Sequence, residues 1–160
     1  MTMPATFKPD TSTPRLVLDT NVCLDLFVFG DAACAPLLAA LQGGVVEAVT
    51  DEACRAEWWR VLHYPKLALD EAARAQARAA FDAHTSYLST DELRQPIDAG
   101  LPRCADPDDQ KFLELALATQ ARWLISKDKE VLKLGPRTLR AGWFAIVTPQ
   151  GWQTPSREAW

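Results

Sequence analysis

The order of segments along the chain predicts an α/β fold, a sandwich around a mostly parallel central sheet. Two observations carry this. The runs RLVLD (15–19), VVEAVT (45–50), RWLIS (122–126) and WFAIVT (143–148) are mostly apolar rather than alternating, as strands covered on both faces are. Between them lie helical segments that can serve as the crossovers parallel strands require.

Taken in order, residues 1–14 carry Pro4, Pro9 and Pro14 among small polar residues and are expected to be a leader that nucleates no core. After the first strand, TNVCLDLFVFG (20–30) reads as a helix stopped at Gly30, and ACAPLLAALQ (33–42) as a second, stopped at Gly43 and Gly44. DEACRAEWWRVLHY (51–64) is a helix ended by Pro65, and LDEAARAQARAAFDAHTSYL (69–88) an alanine-rich one. A Pro- and Gly-punctuated stretch follows, with one strand expected at ELRQPID (92–98). The cycle then repeats with a helix over 107–120, the strand at 122–126, a short helix DKEVLKL (128–134), a break at Gly135-Pro136 and the last strand. One domain is expected over 15–152, with a tail over 153–160.

A net charge of −4 argues against a broad basic nucleic-acid surface, but not against an acidic, metal-dependent site. Cys23, Cys34, Cys54 and Cys104 form no C-x-x-C pair and are expected to be reduced thiols. The N-terminus does not read as a signal peptide and no apolar run approaches the ~20 residues of a membrane span, so a cytoplasmic location away from membranes is expected.

In an open parallel sheet, the carboxyl ends of the strands border the default ligand crevice. Asp19 closes the first strand, and Asp128 follows RWLIS by two residues. Each would also serve as a helix N-cap, but their matching places at two strand ends favour a shared site. In helix 51–64, Glu57 falls on one face with Ala53, Cys54 and Val61, where an unpaired carboxylate would be costly. It therefore needs either a metal or a buried arginine.

The run DPDD (106–109) divides by the same logic. Asp106 and Pro107 have the pattern of an N-cap followed by the first helical position. Asp109 is followed three, four and seven positions on by Phe112, Leu113 and Ala116, which puts it on the buried face; Asp108 lies nearer the edge. Asp109 would alternatively complete a capping box. Carboxylates sharing one crevice repel by roughly 4 kcal/mol per pair at about 4 Å and an effective dielectric near 20, and hard divalent magnesium or manganese offsets this. No P-loop pattern is present.

The blocks LVLDTNV, EWWRVL, DPDDQKFLELALATQARWLISKDKEVLKL and VTPQGW resemble those of the PIN-domain ribonucleases over about residues 15–152. The resemblance implies a three-layer α/β/α sandwich and a Mg2+- or Mn2+-dependent endoribonuclease acting on single-stranded RNA. By motif position it implies Asp19, Glu57, Asp109 and Asp128 as metal-binding and catalytic acids. Thr20, Asn21 and Ser126 match supporting polar positions, with Asp106 as an outer-shell candidate. Lys127 and Glu130 depart from the commoner pattern around the last acid. Many proteins resembling this one are toxins blocked by a small antitoxin protein, others act in RNA processing without one, and a homodimer is expected only by family analogy.

Arg55, Arg60, Lys66, Lys127 and Lys129 are candidate phosphate contacts. Trp58-Trp59 and Phe27-Phe29 read as core before they read as base-stacking or dimer surfaces. A phosphatase of the aspartate type would need an acid where Asn21 stands, and a phosphoacceptor domain gives the inward Glu57 no role. The non-enzymatic alternative is an RNA- or partner-binding module, which would be expected to lack at least one of the four acids.

Overall fold

A computed structural model describes residues 13–89 and 100–155. Five parallel strands, β1 (Arg15–Leu18), β2 (Glu47–Thr50), β3 (Thr85–Tyr87), β4 (Trp123–Ile125) and β5 (Ala145–Val147), lie in the order β3-β2-β1-β4-β5. Chain order runs outward from β1 to β3, then jumps to the other side for β4 and β5. The order therefore reverses beside β1, where an open sheet leaves a crevice at its carboxyl ends.

The helices are α1 (Thr20–Leu24), α2 (Ala35–Gln42), α3 (Glu52–Val61), α4 (Glu71–His84), α5 (Gln110–Ala118), α6 (Lys129–Leu132) and α7 (Gly135–Arg140). Because successive strand residues face opposite ways, each apolar run is divided between two cores. Leu16, Leu18, Ala48 and Ile125 join Val22, Leu37, Trp58 and Phe81 on one side; Val17, Val49, Leu124 and Ile146 join Phe112, Leu113, Leu115 and Val131 on the other. The result is the expected three-layer α/β/α sandwich. Among the described residues no single helix is long and apolar enough to cross a membrane.

Four local expectations are corrected. The helix over 20–30 is α-helical only to Leu24 and widens into a π turn at Asp25–Phe29. The alanine-rich helix stops at His84, where the Thr85 hydroxyl donates to the Phe81 carbonyl (2.8 Å), and Thr85–Tyr87 pairs with β2 instead. Sheet pairing there outweighs helix propensity. Gly135-Pro136 opens α7 rather than breaking the chain, since proline is accommodated in a first turn. On α3, Ala53 is exposed, and the buried positions are Cys54 and Trp58. The expected strand at 92–98 lies outside the described residues.

Gly30 ends the π turn in the left-handed region (φ 60°), its N–H donating to the Asp25 carbonyl. A Cβ there would meet nothing within 4 Å, so the cost of Gly30→Ala is conformational alone. It is expected to lower stability by about 1 kcal/mol, read as the shift in urea midpoint.

Candidate active site

The β1/β4 ladder extends one residue past β1, with the Asp19 N–H donating to the Ile125 carbonyl (3.1 Å). This sets Asp19 beside Ser126, which is fully buried. The Ser126 hydroxyl donates to Asp19 Oδ2 at 2.5 Å and accepts the Asp128 N–H at 3.1 Å, so one side chain ties the two strand-end acids together. Both acids also cap helices: Asp19 Oδ1 accepts from the Val22 N–H (3.1 Å) and Asp128 Oδ1 from the Glu130 N–H (2.8 Å). Capping and a place at the cleft are compatible because a carboxylate has two oxygens.

The third acid arrives from α3, which packs against α1 and α5. Glu57 is largely buried and its two oxygens are engaged separately. Thr20 Oγ1 donates to Oε2 at 2.6 Å, while Lys111 Nζ stands 2.5 Å from Oε1. The expected alternative partner was a buried arginine; the main cation is a lysine from α5, with Arg60 of the same helix more distant at 3.8 Å. Asp109 ends a 3-10 turn, Pro107–Asp109, that leads into α5. Asp106 Oδ1 caps that turn by accepting the Asp108 N–H (2.9 Å), and Asp106 and Asp108 are both exposed. Gln110 fastens the preceding loop, accepting the Cys104 N–H and donating to the Pro102 carbonyl.

These elements enclose a cleft of about 140 Å³ lined by Asp19, Thr20, Asn21, Glu57, Asp109 and Asp128. Burial pushes the Asp19 carboxyl up to about 6 against the lowering hydrogen bonds from Ser126 and Val22. Asp109 is also pushed up to about 6, first by burial, then by the negative charges of Asp106, Asp128, Asp19 and Glu57. That electrostatic coupling places the acids in one field.

The PIN-domain family model matches residues 15–130, well over half of the chain. The chain belongs to the PIN-domain family. A comparison with curated proteins found no match. PIN domains are generally nucleases and typically use divalent metals, which sets the acidic cleft in a nuclease framework.

In donor chemistry, the cleft of this PIN domain fits a hard divalent cation, since it offers carboxylate oxygens from four separate segments. The acids are not drawn together: among the described residues no three His, Cys, Asp or Glu side chains converge closely enough to hold an ion. Glu57 is turned to Lys111 and Thr20 instead. Glu130 lies outside the cleft, exposed and paired with Lys133 at 3.2 Å.

Several cations expected to meet phosphate are used elsewhere. Arg55 forms a two-pronged pair with Asp82 (3.1 Å each), and Lys127 pairs with the buried Asp25 (2.7 Å). Lys129 is exposed, and Lys66 lines the cleft with Tyr64. Trp58 is core, as expected, whereas Phe29 is 57% exposed. Sequence reasoning missed Lys111, Tyr64 and Asp25. For Lys111, the available signal was an ammonium on the first turn of the helix that follows Asp109.

Proposed function

We propose that this PIN domain is a Mg2+- or Mn2+-dependent endoribonuclease that hydrolyses phosphodiesters of single-stranded RNA, with Asp19, Glu57, Asp109 and Asp128 as the metal-holding acids. The observation that carries the reading is the single cleft at the strand-order reversal that all four carboxylates line. A bound divalent cation there would neutralise the acids and make a water a stronger nucleophile. Ser126 keeps Asp19 and Asp128 in register, and Thr20 orients Glu57. Asn21, Tyr64 and Lys66 line the same cleft, where a phosphate backbone would be held. RNA as substrate rests on the family.

Incubation of the purified protein with single-stranded RNA and manganese is expected to give internal cleavage that EDTA abolishes. The DPDD run supplies a contrast. Asp109→Asn is expected to lower the rate by ~100-fold or more, whereas Asp106→Asn keeps its capping oxygen and stays within roughly threefold of wild type. Cleavage that persists in EDTA, or an Asp109→Asn protein as active as wild type, would refute the assignment.

A further inference from the structure

We propose that Lys111 is a positioning residue that sets the metal affinity of the cleft: its ammonium holds Glu57 in the cation-free protein and must be displaced when a divalent ion binds. The inference rests on the metal-dependent reading above. Lys111 and Glu57 are both largely buried, with side chains 17% and 14% exposed, and their charged atoms are 2.5 Å apart. Solvent screens such a pair far less than an exposed one. The ammonium is anchored on its own helix turn, where it donates to the Asp108 carbonyl and lies 5.0 Å from the centre of the Phe112 ring. The helix that follows Asp109 therefore also delivers the cation that holds Glu57.

This arrangement fixes the orientation of Glu57 within the cleft. With Thr20 on one oxygen and Lys111 on the other, Glu57 has its charge balanced locally and is held toward α5. A divalent ion offers Glu57 a stronger partner, but only after the lysine contact is given up. Lys111 thus opposes metal by occupying one of its ligands.

Titration of Mn2+ alone into the full chain, followed by calorimetry, tests this without reference to activity. Lys111→Met is expected to bind Mn2+ about tenfold more tightly than wild type, the scale of one partly buried ion pair, and Lys111→Arg to stay within about twofold. In a Glu57→Gln background, which itself weakens binding, Lys111→Met should bring no further gain. Equal or weaker binding by a folded Lys111→Met protein, checked by near-UV circular dichroism, overturns the inference while leaving the metal-dependent reading intact. Absence of Mn2+ binding in both wild type and Lys111→Met at millimolar concentrations overturns both. Should the methionine variant not fold, Lys111→Gln carries the same expectation and the same refutation.

Discussion

At about pH 7.5, Asp19→Asn is expected to lose RNA cleavage by roughly a thousandfold and yet to unfold at a higher temperature than wild type. The first half follows from the place of Asp19 at the strand-order reversal, where its carboxylate faces the cleft. The second follows from burial. Asp19 is 7% exposed and its carboxyl is pushed up to about 6 from an ordinary 3.8. Between those values the folded chain keeps a proton that the unfolded chain has released, so this contribution to stability is present at low pH and lost as pH rises through about 6. At neutral pH the ionised group costs on the order of 2–3 kcal/mol, at about 1.4 kcal/mol per unit.

Asparagine removes the charge while its oxygen still accepts from Val22, and the Ser126 hydroxyl can turn to accept from the new amide. Urea midpoints in EDTA should therefore separate with pH, nearly equal for the two proteins at about pH 4 and higher for Asp19→Asn at about pH 7.5. Added manganese should narrow the gap by stabilising wild type alone. If Asp19→Asn is the less stable protein at neutral pH, burial does not disfavour the charged carboxylate; if it cleaves RNA normally, Asp19 is outside the site.

Trp58→Ala should be the most damaging single truncation of the core, lowering stability by about 3–5 kcal/mol and Tm by roughly 10 °C. Trp58 is 1% exposed and joins three segments. It stacks on Phe81 of α4 (5.4 Å, 22°) and meets the edge of Phe27 in the π turn (6.2 Å, 71°), and Phe27 in turn contacts Phe81 and His84. Alanine would leave a void among rings that cannot collapse into it. Glu57 precedes Trp58 on α3, so a loosened helix also releases the acid, and cleavage should fall with stability. Trp59→Ala is the control. Trp59 is half-buried under the guanidiniums of Arg55 and Arg78, at 4.2 and 4.0 Å, and its truncation should cost about 1–2 kcal/mol. Equal losses in the two proteins would show that the aromatic cluster is not the anchor of α3.

Within the DPDD run, the N-cap at Asp106 was legible because side-chain capping acts over two or three residues. The half-buried position of Asp109 was legible because the apolar residues after it repeat with the helical period. Glu57 was found by the same periodicity, although Ala53, placed on that face, turned out exposed. Thr85–Tyr87 was misread because the alanine-rich run before it, Glu71–His84, favours a helix and only pairing with β2 overrides it.

The chain's own pattern therefore determined four of the five strands and most of the helices, and marked the four acids as candidates, since each depends on neighbours within a few positions. The tertiary structure decided which strand lies beside which, and hence that Asp19 meets Ser126 across 107 positions of sequence. It also decided the partners of the charges: Lys111 on Glu57 and Lys127 on Asp25. The physical reason is that a buried charge must find an opposite charge or a hydrogen bond wherever packing supplies one, and packing is not periodic in the sequence.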